Sequence, residues 1–369
     1  MKQTTQPMLW LVGTLLLFSM VLTSCTKNTA RTTPANIQLT EAIRTRLAAA
    51  ADSVFKKGQT PGMIAILSAE GEEDLILKRG VANMATGESM SENSYWRIAS
   101  NTKTFVGAAV LLLVEEGKIN LDSSISFYLP EYKIPKGNRI KVRMLGNMTS
   151  GLYNYTDDDY FWIRMNADHF VKTYPPDSML AIAFSRPNNF EPGTQYEYCN
   201  TNTILLGLLM EKVTGKTARA VIEEKLLQPL QLTHTYWGGP DFISKPYIHG
   251  YNKDYTVLQD ATNWNPSWGY TAGILISNFA DMKIWARAVA EGSLLSEKMK
   301  KERFGWIGNY YGFGVMKAGP WIGHSGNIPG YNSHVLYDTG RKMTLIILTN
   351  MDTDTPVESF SEAFRTILN

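Results

Sequence analysis

Apolar residues recur at helical spacing early in the chain and then give way to short apolar runs. Thr40 suits a helix N-cap, and Gly58 suits the end of that helix. The apolar positions between them are Ile43, Leu47, Ala51, Val54 and Phe55. This spacing predicts an amphipathic helix. Residues 62–68 and 74–79 flank a turn rich in Glu and Gly, which predicts an antiparallel hairpin.

The segment from Thr102 to Glu116 would be apolar on every side of a helix. Its apolar residues are Phe105, Val106, Ala108, Ala109, Val110, Leu111, Leu112, Leu113 and Val114. A helix that is apolar all round is buried, and Gly117 is placed to end it. Further helices are predicted over residues 201–213, 218–227 and 278–290.

Strand-like runs return near the end of the chain. They cover residues 312–316, 321–324, 333–337 and 343–349, and a last helix follows with Val357, Phe360, Phe364 and Ile367 on one face. Strands at both ends with helices between them predict an α+β fold. In it, an antiparallel sheet built from both chain ends is flanked by helices, with a helical region inserted. The domain spans 40–369, with sheet residues at about 40–98 and 305–369, helical residues at about 100–300, and the active site between them.

The N-terminus has the pattern of an export signal. Lys2 precedes a mostly apolar stretch over residues 8–22, which is too short for a transmembrane helix of about 20 residues. Leu22-Thr23-Ser24-Cys25 then resembles a bacterial lipobox. We therefore expect a signal peptide over 1–24, lipidation of Cys25 and a flexible tether over 25–39. The protein would be an exported, periplasmic lipoprotein held at the membrane by lipid alone; an ordinary signal peptide with an unrelated Cys is the alternative.

Composition narrows the classes of partner. The formal net charge of the chain is +2, which gives no basis for nucleic-acid binding. Apolar content of 44% and charged content of 19% are ordinary for a globular protein. There are two Cys, so lipidation of Cys25 would leave Cys199 without a disulfide partner.

A Ser-x-x-Lys spacing places both side chains on one face of a helix. A desolvated lysine amine has a lowered pKa and can take the serine proton, which makes the serine a nucleophile. The spacing occurs three times, at Ser24/Lys27, Ser53/Lys56 and Ser100/Lys103. Only the third opens a buried helix, so Ser100 is the candidate nucleophile and Lys103 its base. The alternative is a helix N-cap with an exposed lysine.

Two further motifs carry groups suited to the same chemistry. Tyr198-Cys199-Asn200 offers a phenol that can shuttle a proton and an amide that can hold Lys103 and a substrate carbonyl. Gly323-His324-Ser325-Gly326 is predicted on a strand whose edge can bind an extended substrate. The backbone N–H of Asn327 and that of Ser100 could form an oxyanion hole. Lys317-Ala318-Gly319 is a rival for this third motif.

The order Ser-x-x-Lys, Tyr-x-Asn, His-x-Gly resembles the class C β-lactamase and D-alanyl-D-alanine carboxypeptidase superfamily. Supporting segments are Trp96-Arg97-Ile98-Ala99, Met148-Thr149-Ser150-Gly151-Leu152, Glu191-Pro192-Gly193, Leu205-Leu206-Gly207, Pro229-Leu230, Ala272-Gly273 and Pro329-Gly330-Tyr331. The resemblance runs from about Thr40 to the C-terminus.

The resemblance implies the β-lactamase/transpeptidase-like fold and an acyl-enzyme mechanism without metal or cofactor. Ser100, Lys103 and Tyr198 would be catalytic, and Asn200, His324, Ser325, Gly326 and Asn327 would bind substrate. The substrate would be a peptidoglycan-like peptide, a β-lactam or an ester. True class C β-lactamases usually carry Lys-Thr-Gly at the third motif, so His-Ser-Gly favours the carboxypeptidase, D-aminopeptidase and esterase branches.

Two other classes of protein fit the sequence less well. A Ser-His-Asp hydrolase is disfavoured because the chain has five His and no Gly-x-Ser-x-Gly elbow. A non-catalytic lipoprotein that binds peptidoglycan or another ligand is disfavoured because all three motifs are intact. The sequence leaves the choice among peptide, ester, β-lactam and D-amino acid amide substrates open.

Overall fold

The computed structural model describes residues 38–368, apart from positions 169, 240–242, 255–256 and 353–354. The predicted signal peptide, Cys25 and nearly all of the tether therefore lie outside the described residues. Within the described residues, no helix is both long enough and apolar enough to cross a bilayer.

The described chain forms twelve strands and twelve α-helices. The strands are β1 (Gly62–Ala69), β2 (Leu75–Asn83), β3 (Glu88–Ser89), β4 (Trp96–Arg97), β5 (Tyr236–Trp237), β6 (Tyr251–Asp254), β7 (Val257–Asp260), β8 (Leu275–Ser277), β9 (Met316–Ala318), β10 (Trp321–Ile328), β11 (Tyr331–Asp338) and β12 (Met343–Thr349). The helices are α1 (Glu41–Gly58), α2 (Thr102–Glu115), α3 (Ile125–Tyr128), α4 (Val142–Gly146), α5 (Asp159–Ala167), α6 (Pro176–Phe184), α7 (Asn200–Thr214), α8 (Ala218–Ile222), α9 (Tyr270–Gly273), α10 (Phe279–Glu291), α11 (Glu297–Arg303) and α12 (Thr355–Leu368).

The main sheet is antiparallel and draws strands from both ends of the chain, as the sequence predicts. Its spatial order is β3-β2-β1-β12-β11-β10-β9. The central pair is β1 with β12, in which Ala65 lies opposite Ile347. Consecutive residues of β12 contribute to different cores: Leu345 and Ile347 pack with α1 and α12, whereas Ile346 and Leu348 belong to the larger core around α2. This alternation is the period-2 geometry of a strand buried on both faces.

The region between the two sheet segments is not purely helical, which corrects the prediction for residues 100–300. It contributes β5 and β8 to a small sheet with β4, and β6 pairs with β7 in a hairpin. These strands hold only two to four residues each. Such short segments leave no periodicity that separates them from loops.

Two boundaries also differ from the predictions. The left-handed residue after α1 is Gln59, with φ of 51°, and Gly58 is the last helical residue. The sequence predicts a strand over residues 312–316, but residues 312–315 are not in a strand and β9 starts at Met316. Gly314 has φ of +67°, and a Cβ there would lie 3.1 Å from the Cα of Gly107 in α2. This close crossing of α2 requires a turn rather than a strand.

Candidate active site

Ser100 lies in one turn of 3₁₀ helix, Ala99–Asn101, directly before α2. Ala99 has φ of +50°, a left-handed conformation that is costly for a residue with a side chain. The N–H of Ile98 donates to the carbonyl of Leu275 (3.0 Å), and the N–H of Leu275 donates to Oγ1 of Thr102 (3.2 Å). These bonds to β8 hold the turn, and the half-buried Ser100 lines a cavity.

Lys103 is buried one helical turn after Ser100, with 1% of its surface exposed. Its Nζ donates to Oγ of Ser100 (2.9 Å) and to the carbonyl oxygen of Ala272 (2.8 Å). Burial lowers the pKa of this amine from 10.5 to about 7, because removal from water disfavours the charged form. A substantial fraction of the amine is therefore neutral near pH 7 and can accept the proton of Ser100.

Tyr198 completes a cluster around Ser100. Its ring centroid lies 4.9 Å from Nζ of Lys103. Burial raises the pKa of the phenol, against a smaller lowering by its hydrogen bond with Ser100. The group is thus a neutral phenol, not a tyrosinate, and it can relay a proton by donating one while accepting another.

His324 lies on β10, beside Tyr198, with ring centroids 6.0 Å apart. Its Nδ1 is 2.6 Å from the carbonyl oxygen of Ser325, and its Nε2 is 3.1 Å from the hydroxyl of Tyr311. A carbonyl oxygen only accepts, so Nδ1 carries the proton and Nε2 accepts from Tyr311. Burial, together with the charge of Lys103, lowers the pKa of His324 to about 3. His324 is therefore a neutral group with a single tautomer.

Gly326 lets β10 approach the turn that carries Ser100. A Cβ at this position would lie 2.5 Å from the carbonyl oxygen of Ile98 and 2.7 Å from Nδ2 of Asn101. Only glycine permits this spacing. Asn327, one residue on, is exposed and lines the same cavity as Ser100. The two residues predicted to supply oxyanion N–H groups therefore share one cavity.

One predicted contact, between the Asn200 amide and Lys103, is not present in the described structure. The side chain of Asn200 lines the cavity, but its amide donates to Oγ1 of Thr156 (2.9 Å) and not to Lys103. Its backbone N–H donates to Asn154 (3.0 Å), which orients the residue at the first turn of α7. Lys103 instead uses the carbonyl of Ala272.

Ser325 is the predicted site residue that lies apart from Ser100. Successive side chains of a strand point to opposite faces. The hydroxyl of Ser325 lies 3.7 Å from Sδ of Met316, and the side chain lines a second cavity of about 220 Å³ near α12. The rival Lys317 also lines this second cavity, and its Nζ donates to Asn309 (3.1 Å). His324 also lines this second cavity, but its ring packs beside Tyr198, so of the two rival motifs the structure places His324 next to the cluster around Ser100.

The cavity at Ser100 has a volume of about 400 Å³. Its aromatic lining residues come from the inserted region and are Tyr155, Trp162, Phe170 and Trp268. Its polar lining residues include Asn166, Asn200, Asn252, Lys253, Asn327 and Asp352. This volume is at the lower end of the range for small-molecule sites and suits a substrate of one or two amino acid residues.

Sequence reasoning missed Tyr311, Ala272 and Asp352. Tyr311 and Ala272 act through contacts between segments far apart in the chain, so no local spacing marks them. Ala272-Gly273 is one of the segments that resemble the family, but the resemblance does not indicate that the Ala272 carbonyl accepts from Lys103. Asp352 follows β12 in a polar stretch that looks like an ordinary loop.

Comparison with known proteins gives a consistent result. The family model described as Beta-lactamase matches residues 39–365. Protein flp of Staphylococcus aureus (strain COL) is 25% identical over 315 residues, covering 81% of this chain and 61% of that protein. Penicillin-binding protein 4* of Bacillus subtilis (strain 168) is 25% identical over 318 residues, covering 79% of this chain and 69% of that protein. The chain thus spans about 61% of the length of protein flp.

Two solved structures extend the comparison. A D-stereospecific amidohydrolase from a Streptomyces species superposes with a TM-score of 0.77 at 28% identity, covering 87% of this chain and 97% of that chain. The D-amino acid amidase of Ochrobactrum anthropi SV3, complexed with L-phenylalanine amide, superposes with a TM-score of 0.75 at 24% identity. The superposition covers 89% of this chain and 97% of that chain. The second likeness concerns the fold alone.

Proposed function

The chain belongs to the Beta-lactamase family, and we propose that it is a serine hydrolase that cleaves amide bonds through an acyl-enzyme formed on Ser100. The observation that carries this proposal is the 2.9 Å hydrogen bond between Nζ of Lys103 and Oγ of Ser100. The amine is buried and has a pKa of about 7, so it is suited to act as a base near neutral pH.

In the proposed reaction, neutral Lys103 takes the proton of Ser100 while Oγ bonds to the substrate carbonyl carbon. The N–H groups of Ser100 and Asn327 would stabilise the resulting oxyanion. The scissile C–N bond then breaks, and the leaving amine receives a proton that passes from Lys103 through the phenol of Tyr198. Water attacks the ester, giving up one proton to the same relay, and Oγ of Ser100 leaves with a proton restored.

For the substrate, we propose an amide of a D-amino acid residue. One candidate role is a D-alanyl-D-alanine carboxypeptidase-like peptidase of the cell envelope, which the motif order and the relative named penicillin-binding protein 4* favour. The other is a D-aminopeptidase or amidase, which the likeness to the D-stereospecific amidohydrolase favours. The His-Ser-Gly motif makes efficient β-lactam turnover the least expected activity, and an esterase of the same superfamily is the remaining alternative.

Covalent labelling tests the mechanism directly. A fluorophosphonate probe should add one adduct to Ser100, detected by intact-mass and peptide mass spectrometry, and Ser100→Ala should give none. A folded wild-type protein that forms no adduct would refute the proposal and favour a non-catalytic ligand-binding lipoprotein. Rates with p-nitrophenyl esters, nitrocefin and D-Ala-D-Ala peptides then separate the candidate activities.

Export and lipid anchoring at Cys25 complete the proposal. The support is the short apolar stretch followed by Leu-Thr-Ser-Cys. Fractionation of a bacterial host that expresses the wild type and Cys25→Ser tests it. The wild type should sediment with membranes and the variant should be soluble; equal partitioning of the two would refute the anchor.

A further inference from the structure

The cavity at Ser100 has two walls of different chemistry. The aromatic wall is held together by packing within the inserted region: Trp162 and Trp268 meet edge-to-face with centroids 5.7 Å apart. The hydroxyl of Tyr155 donates to the carbonyl of Trp268 (3.0 Å), and Phe170 stacks on Trp264 at 4.2 Å. This wall suits an apolar or aromatic side chain.

The polar wall is formed where three strand ends meet. The N–H of Tyr251 donates to the carbonyl of Asn350 (2.9 Å), which joins β6 to the segment after β12. Asp352 follows in that segment. The Asn252 amide donates to its carboxylate, and the Asn327 amide donates to its backbone carbonyl (3.1 Å). Asp352 is therefore held in the cavity wall from two sides.

Two charged residues of the polar wall present their charge differently. Asp352 is half-buried and anchored, whereas Lys253 is exposed at the hairpin of β6 and β7. An anchored carboxylate in a partly dehydrated cavity is a strong acceptor for an ammonium group, because charge-assisted hydrogen bonds gain strength away from water. A solvent-exposed lysine binds a carboxylate only weakly. Among the described lining residues, the charged group that is held in place is the carboxylate of Asp352.

We propose that Asp352 binds the α-ammonium group of the substrate, so that the enzyme acts on amides of amino acids or short peptides with a free N-terminus. The aromatic wall then receives the side chain of that residue, and its carbonyl carbon is the one that Ser100 attacks. The leaving group departs as an amine. This inference rests on the proposed function and selects the aminopeptidase or amidase role over the carboxypeptidase role.

The test compares three p-nitroanilides: D-phenylalanine, N-acetyl-D-phenylalanine and 3-phenylpropionic acid, which lacks the amino group. At pH 7 the free α-amino group is mainly protonated. The wild type should prefer the free amine over both analogues by about tenfold or more in kcat/KM. Asp352→Asn should reduce this ratio towards one, mainly through KM, whereas the matched exposed variant Asp159→Asn should keep the wild-type ratio.

Each other outcome has a defined meaning. A wild type without preference for the free amine, or an Asp352→Asn variant that keeps it, overturns the inference. Preference for N-acylated D-Ala-D-Ala peptides that is lost in Lys253→Met indicates a carboxypeptidase and also overturns it. Asn252→Ala leaves the carboxylate charged but unanchored and should lower the ratio partly. Failure of the fluorophosphonate to label Ser100 would instead refute the proposed function, and labelling of each variant confirms that it is folded.

Discussion

The same Ser-x-x-Lys spacing occurs at two places in the described chain, in α1 and at the start of α2. Ser53 and Lys56, both described, are exposed and share no hydrogen bond. Lys103 is 1% exposed and lies 2.9 Å from Ser100. The two pairs have identical residue types and spacing, but only in the second pair is the lysine buried and in hydrogen-bond contact with the serine. Removal from water makes the neutral form of Lys103 accessible.

The difference comes from the elements packed around each pair. The helix α1 is amphipathic and packs one face on the outer side of the sheet, so Ser53 and Lys56 lie on its solvent face. The helix α2 is enclosed, and α9 supplies the Ala272 carbonyl while the loop before α7 supplies Tyr198. Burial in the fold, and not the spacing alone, lowers the pKa of Lys103 to about 7 and suits it to the proposed role of base.

The largest effect should come from replacing Lys103 with alanine, with Lys56→Ala as the matched control. Lys103→Ala should reduce kcat/KM by about a thousandfold, because general base catalysis contributes about 10²–10⁴-fold. Lys56→Ala should leave it unchanged. Circular dichroism controls for folding of both variants. Comparable losses in the two variants, or none in Lys103→Ala, would break the comparison.

A smaller effect is expected when the strand that closes the cluster is displaced. Gly326→Ala places a Cβ 2.5 Å from the Ile98 carbonyl. The strand must shift, so we expect a loss of about 1–3 kcal/mol in unfolding free energy and about a hundredfold in kcat/KM. Gly305→Ala, whose Cβ would lie 3.3 Å from its nearest neighbour, is the control. Urea unfolding and steady-state kinetics measure both, and a Gly326→Ala rate equal to the control would contradict this role.

The smallest effect should come from Tyr311→Phe, which removes the donor to Nε2 of His324. Leaving a buried acceptor unsatisfied costs about 1–3 kcal/mol. If this cost falls on the arrangement of the groups around Ser100, kcat/KM should drop roughly tenfold. The Nε2 chemical shift of His324 should change because the hydrogen bond to that nitrogen is lost, while the Ser325 carbonyl keeps the proton on Nδ1. Tyr310→Phe is the control, because its hydroxyl lies 3.9 Å from Sδ of Met316. An unchanged Nε2 shift would show that Tyr311 does not donate to His324.

Sequence reasoning predicted the parts of the fold that local patterns encode. The apolar character of α2 indicated its burial, and the strand runs at both chain ends indicated the shared sheet. The same reasoning selected Ser100 and Lys103 as candidates because only this copy of the spacing opens a buried helix, and the structure places the two side chains in hydrogen-bond contact. Periodicity and helix signals act over a few residues, and these features require no more.

Sequence reasoning failed where a contact depends on distant segments. Asn200 was expected to hold Lys103, but the Ala272 carbonyl from α9 occupies that place. Ser325 follows His324 in the motif, yet its hydroxyl contacts Sδ of Met316 on the neighbouring strand β9 and does not line the cavity at Ser100. The anchoring of Asp352 needs β6, β10 and β12 to meet, and no segment of the chain carries that information alone.

The pH dependence of Ser100 acylation tests the central claim most directly. The second-order rate of fluorophosphonate labelling should be low in acid, rise with an apparent pKa of about 7 and level off above it, because the neutral amine of Lys103 is the active form. Of the other groups in the cluster, His324 has a pKa of about 3 and Cys199 of about 11, so neither titrates in this window. A rate that stays flat from about pH 5 to 9, or that rises only near the ordinary lysine value of about 10.4, would contradict the account.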